Sequence, residues 1–420
     1  MRQRRKPTNW FLVIFLVVLI AVVAYLDRFV VPTVQPPFLP TPTVTRDPES
    51  YATEADGLFN QGKLSQAIDT YNEAISIKPS DPSLYIALAQ VQVFAGKYDD
   101  ALTSAKNALL LNANNSMAQA VLGWAETQKD FLAQTPDFTD ADTSIKHALQ
   151  LDPNNGLAHA YYAFLLGDMD QTDTGPYTDP IKSAIAESNA AISLAPDSLE
   201  AHWARGFILQ ITGNYEQSIP EYQAAINHNG NIAQLHLELG ATYKYVGDID
   251  KAIQEYTRAN TLNPSDPTPS LYSSRALGQI GEYGKAVQYA QQAVSDSPTD
   301  PNLHGNLGVW LYKEPDWVDA LPELALAVNG GKTADGQTIP PQPLSGTDAH
   351  FAQYYYTYAI LLAKYNRCSE ALPITQLLLT SVPNDADAVY NAQYAQGLCS
   401  ASLGTPSATP SATPKVTPTP

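Results

Sequence analysis

The chain opens on an unbroken apolar run, Trp10 to Leu26, and then changes character. From about Pro48 onward, apolar positions recur at spacings of three and four, as on one face of a helix. Between Ala233 and Asp266 the pattern is easiest to follow. Leu239, Gly240 and Tyr243 share one helical face, and Gly247 then interrupts it. Ala252, Tyr256 and Ala259 share a face of a second helix, which Pro264 ends because its ring cannot continue the backbone ladder. Two short antiparallel helices per unit are predicted.

The unit recurs every 34 residues. Ala252, Ala286 and Ala320 are spaced by that period, as are Ala225, Ala259, Ala293 and Ala327. Ala67 pairs with Ala101, Ala74 with Ala108, Gly206 with Gly240, and Pro264 with Pro298. Extended along the chain, the template gives units at 48–81, 82–115, 116–155, 156–198, 199–232, 233–266, 267–300, 301–334 and 352–385, with a closing helix from Asp387 to Ser402. The third unit carries about six extra residues around Gln134–Asp140, and the fourth about nine around Met169–Thr178. A loop from Asn329 to Thr347 precedes the last unit. Small Gly and Ala positions let neighbouring helices approach closely, and a large residue there forces them apart.

The Leu-Gly pair, the Tyr, the two Ala and the terminal Pro of the 233–266 unit resemble the tetratricopeptide repeat. The resemblance covers roughly four-fifths of the chain. It implies an all-α fold: a right-handed α-solenoid of about nine helix-turn-helix repeats plus a capping helix, spanning 48–402.

The ends read differently. Arg2, Arg4, Arg5 and Lys6 precede the apolar run, which reads as a transmembrane helix over 10–31 with residues 1–9 in the cytoplasm and the bulk of the chain outside. A cleaved signal peptide followed by secretion is the alternative. Prolines crowd residues 32–47, an extended spacer, and residues 403–420 are a Ser/Thr/Pro tail that cannot bury a core.

The formal net charge is −18. Leaving out the five basic residues and one acid before Val31 lowers it by four, to −22. Such a surface repels phosphate backbones, so nucleic acid is not expected as a partner; the acid also keeps a large surface soluble. No nucleophile motif, phosphate loop or metal-ligand spacing stands out, so no enzyme activity, cofactor or metal is expected. His159, His202, His236 and His304 occupy one repeat position, with the nine-residue insertion accounting for the wider first interval, and read as structural.

In the resembled family the first helices of successive units line a concave groove that takes peptides or helices. Counting along those helices places Phe94, Trp124, Phe164, Trp203, Phe207, Lys244, Tyr245, Arg275, Tyr312, Lys313 and Tyr356 toward it. Some of the rings, Trp124 and Phe164 above all, are equally suited to filling space between helices. An aromatic groove suits a peptide or a sugar, and Lys244, Arg275 and Lys313 offer a strip for an acidic group or a terminal carboxylate. The expected function is a non-catalytic scaffold that binds a protein or peptide, with envelope polysaccharide binding and service to a separate membrane enzyme as alternatives. Cys368 begins the second helix of the last unit and Cys399 lies near the end of the closing helix. In an antiparallel stack these ends meet, so the two form a disulfide or remain two buried thiols.

Overall fold

The computed structural model describes residues 9–26, 28, 46–133, 135–344 and 349–402. The expected spacer, tail and cytoplasmic segment fall almost wholly outside them. The chain divides into two units, Met1–Ser50 and Tyr51–Pro420.

In the first unit, Trp10–Tyr25 forms helix α1, sixteen residues with exposed apolar side chains on every face. At 1.5 Å per residue it spans about 24 Å, short of the ~30 Å hydrocarbon layer. Among the described residues no helix is long and apolar enough to cross a membrane. The expected span over 10–31 is therefore corrected, and with it the single-pass placement that rested on it. The expected span counted on residues up to Val31, and residues 29–31 lie outside the described ones.

The second unit is a stack of helix pairs. In order these are α2 (Pro48–Asn60) with α3 (Leu64–Ile77), α4 (Pro82–Phe94) with α5 (Tyr98–Leu111), α6 (Ser116–Phe131) with α7 (Thr139–Leu151), and α8 (Gly156–Thr172) with α9 (Pro180–Leu194). There follow α10 (Leu199–Ile211) with α11 (Tyr215–His228), α12 (Ala233–Tyr245) with α13 (Ile249–Leu262), α14 (Thr268–Gln279) with α15 (Tyr283–Asp296), and α16 (Pro301–Lys313) with α17 (Trp317–Asn329). The last pair is α18 (Ala349–Lys364) with α19 (Cys368–Ser381), closed by α20 (Ala386–Ser402). From α4 onward, each first helix packs on its own partner and on the first helix of the next unit. Part of each insertion lengthens a first helix, so that α6 and α8 run to Phe131 and Thr172.

The local chemistry explains the boundaries. Asp81, Asn115, Asn155, Ser198 and Asp300 cap first helices by accepting a backbone N–H with their side chains. Gly247 ends α12 at φ +83°, a left-handed conformation that suits glycine. The helical glycines serve close approach. A Cβ on Gly240 would meet the Tyr256 ring at 2.6 Å, and one on Gly308 would meet Leu324 at 2.6 Å. The repeated alanines Ala225, Ala252, Ala259, Ala286, Ala293, Ala320 and Ala327 are all fully buried between helices.

The repeat histidines act as staples between the two helices of a unit. His202 Nδ1 lies 2.7 Å from Glu221 Oε2, and its Nε2 lies 2.8 Å from the Pro196 carbonyl oxygen. His236 meets Glu255 and the Gly230 carbonyl in the same way.

Between α17 and α18 the expected loop contains a short antiparallel ladder, β1 (Gly331–Lys332) with β2 (Thr338–Ile339), pairing Gly331 with Ile339. Ile339 is buried, and Gln342 N–H donates to the Ala327 carbonyl at 2.7 Å, tying the hairpin to α17. Cys368 and Cys399 are joined as a disulfide, Cα to Cα 5.5 Å, linking the start of α19 to the end of α20.

One set of contacts departs from nearest-neighbour stacking. Asn229 Nδ2 donates to the Phe59 carbonyl at 3.3 Å, and Asn231 Nδ2 to the Asn60 carbonyl at 2.7 Å. Phe94 stacks on Trp203 with centroids 6.0 Å apart, and Gln90 donates to the Tyr161 hydroxyl at 3.2 Å. The first pair therefore touches the fifth across the inside of the curve.

Candidate functional site

Because the first helices face inward and the stack curves, their rings meet one another. Phe94 packs on Phe59 (5.0 Å), Trp124 (5.1 Å) and Trp203. Trp124 stacks nearly parallel on Tyr161 at 4.6 Å, and Phe164 lies 5.2 Å from Trp203 and 5.6 Å from Phe207. Trp124 is 2% exposed and Phe164 6%. These rings fill the concave side of the early units and form the floor of what remains open.

What remains is a cavity of about 780 Å³. Seven of the residues expected at the groove line it: Trp124, Phe164, Trp203, Phe207, Lys244, Tyr245 and Arg275. Phe94 does not line it but packs on Trp124 and Trp203, which do. Tyr312 sits elsewhere, its ring under the Lys364 ammonium at 5.2 Å and beside Trp317. Lys313 is exposed at the end of α16 and does not line the cavity. Tyr356 lies in a separate hollow of about 210 Å³ with Asp385 and Asp387. The basic strip thus contracts from three residues to two, since Lys313 stands exposed at the end of α16 and off the cavity lining.

The two remaining cations are close enough to affect each other. Burial and the neighbouring Arg275 charge lower the proton affinity of Lys244. Arg275 Nη2 donates to Asn302 Oδ1 and to the Tyr354 hydroxyl, both at 3.2 Å. Its Nε–H is buried and has no acceptor among the described residues, and the Tyr256 hydroxyl on the same cavity is likewise unpaired. Unpaired buried donors are unusual in folded chains.

Sequence reasoning missed the acids. Asp168 and Glu238 both line the cavity. Glu238 accepts from Trp203 Nε1 at 2.8 Å and Gln234 Nε2 at 2.9 Å, and burial raises its proton affinity against those bonds. Asp168 is 7% exposed, and burial together with Glu238 pushes it well above the ordinary carboxylate range. A faint signal was present: Asp168 is the first acid after the apolar run from Tyr161 to Gly167 and falls one helical turn after Phe164, a residue expected at the groove. The amides of Gln128, Gln171, Gln210 and Gln234 add polar groups to the lining.

Comparison with known proteins agrees with the repeat. Residues 55–93 match a family model described as TPR repeat, and residues 233–266 match the tetratricopeptide repeat model. No curated protein matches. Among solved structures, the human IFIT1 dimer with PPP-AAAA is similar at 15% identity and a TM-score of 0.53, covering 83% of this chain and 82% of that one. The same protein with m7Gppp-AAAA gives 15% and 0.53 over 82% and 80%. Pseudomonas aeruginosa pilF is 18% identical over 57% of this chain and 96% of its own, with a TM-score of 0.43. A chain of this fold thus carries a nucleotide ligand, so the exclusion of nucleic acid drawn from net charge is not supported. The two family matches, set in an all-helical stack of such helix pairs, support a tetratricopeptide-repeat protein.

Proposed function

We propose that the chain is a non-catalytic interaction scaffold that takes a segment of a partner protein into the 780 Å³ cavity. The observation that carries this reading is the pair of unpaired buried donors, Arg275 Nε and the Tyr256 hydroxyl, on an aromatic cavity beside Lys244. Together they suit a carboxylate, supplied by an acidic side chain or a chain terminus, with the rings receiving apolar neighbours. A sugar chain is the second reading, favoured by four glutamine amides set among rings.

Crosslinking in intact cells followed by mass spectrometry tests it, comparing wild type with the Lys244→Glu/Arg275→Glu double variant and with Lys313→Glu as the off-cavity control. The expected result is a protein partner lost in the double variant and kept in the control. Unchanged capture in the double variant removes the cavity from the reading, and a glycan array bound in its place selects the sugar.

A further inference from the structure

We infer that the cavity also contains a cation subsite: Asp168, backed by Glu238, receives the ammonium or guanidinium of a lysine or arginine side chain on the bound partner segment. The inference rests on the reading above, that the cavity takes such a segment.

Asp168 is nine-tenths buried, lines the cavity, and meets no hydrogen-bond donor among the described residues. A carboxyl withdrawn this far from water is normally paired, because it keeps only the hydration that reaches it through the cavity. The chain itself supplies no counterion. Among the described residues neither Asp168 nor Glu238 forms an ion pair with a lysine or arginine, and the charge acting on Lys244 is that of Arg275. The cavity therefore contains two coupled acids and two coupled cations without pairing one set to the other.

The surroundings of Asp168 suit a cation. Phe164 lies one helical turn before it and shares its face. Phe207 lies against Gly167, where an added Cβ would meet that ring at 2.5 Å. The two ring centroids are 5.6 Å apart, and the negative face of an aromatic ring attracts an ammonium or guanidinium. An apolar guest would leave the carboxyl unpaired, a neutral donor would pair it without balancing its charge, and an anionic guest would add to the repulsion between Asp168 and Glu238. While the cavity is empty, burial and Glu238 favour a proton on Asp168. A bound cation displaces it, so affinity for a basic segment rises with pH.

The test uses the full chain and two probes: a position-scanning library of free-carboxylate pentapeptides, and n-butylammonium. Calorimetry in buffers of different ionisation enthalpy reports binding and proton release together. The expected result is a roughly 10- to 100-fold preference for lysine or arginine over norleucine at one position, with proton release. Asp168→Asn, which keeps the shape and removes the charge, is expected to abolish both the preference and n-butylammonium binding. Glu238→Gln is the second variant and is expected to weaken the preference. If peptides bind but lysine and arginine do no better than norleucine, or Asp168→Asn keeps the preference, the subsite is overturned while the peptide reading stands. If n-butylammonium binds through Asp168 and no peptide does, the subsite stands and the peptide reading falls. If neither probe binds, both are overturned.

Discussion

His304 Nδ1 lies 2.6 Å from Glu323 Oε2, nineteen residues further on and in the second helix of the same unit. The same nineteen-residue link joins His202 to Glu221 and His236 to Glu255. His159 reaches Glu187, twenty-eight residues away, the excess of nine matching the insertion in that unit. In each case Nε2 faces a backbone carbonyl six residues back. Only a doubly protonated ring can donate to both acceptors at once.

A pH dependence follows. The Glu187 carboxylate and the Pro153 carbonyl raise His159 above the usual histidine range. For His304, burial opposes the charge, but Glu323 and the Pro298 carbonyl outweigh it. A group whose folded pKa is raised contributes stability that is complete below its unfolded value and lost as pH climbs through the folded one. Thermal melts should therefore show the melting temperature falling from about pH 6.5 upward. Glu323→Gln should lower stability by about 1.5–3 kcal/mol near neutrality and flatten that slope.

Two glycines should respond oppositely to the same change. Gly240→Ala places a Cβ 2.6 Å from the Tyr256 ring, an overpacking expected to cost about 1–3 kcal/mol. Gly57, inside α2, has nothing within 4 Å of an added Cβ. There Gly57→Ala should stabilise by about 0.8–1 kcal/mol through helix propensity alone. Denaturant titration of both variants checks the pair; equal effects would show that close helix approach is not what requires Gly240.

The Cys368–Cys399 link closes a loop of 31 residues. In the loop-entropy account its removal costs about 3–4 kcal/mol. Hydrogen exchange should show the loss concentrated in α19 and α20, the two helices that the link joins. A Cys368→Ser/Cys399→Ser variant that melts with wild type and shows unchanged exchange there would remove any stabilising role.

Much of the repeat was legible because its signals are local. A glycine that must admit a tyrosine ring, an alanine sealed between helices and a proline after a helix each act within one 34-residue unit. The helix pairs follow that spacing closely, from Pro82 at the start of α4 to Cys368 at the start of α19. The site was legible only in part, because it depends on curvature, the sum of small rotations between units. Asp168 and Glu238 are seventy residues apart, and no local pattern announces their meeting. Two periods after Lys244 and Tyr245 come Tyr312 and Lys313, yet neither of that later pair lines the cavity. The apolar run at Trp10–Leu26 misled for a different reason: hydropathy reports what a segment would tolerate, whereas spanning also requires length, and the sixteen described helical residues fall short of it.

The bonds from Asn229 and Asn231 to Phe59 and Asn60 make the first five pairs a clasped loop rather than an open coil. An open array of repeats stretches like a spring, each joint yielding a little. A clasped one resists tension until the clasp gives, and then releases several joints together. A load applied along the chain would thus be carried elastically by the later units, while the early ones hold the cavity floor rigid up to a threshold.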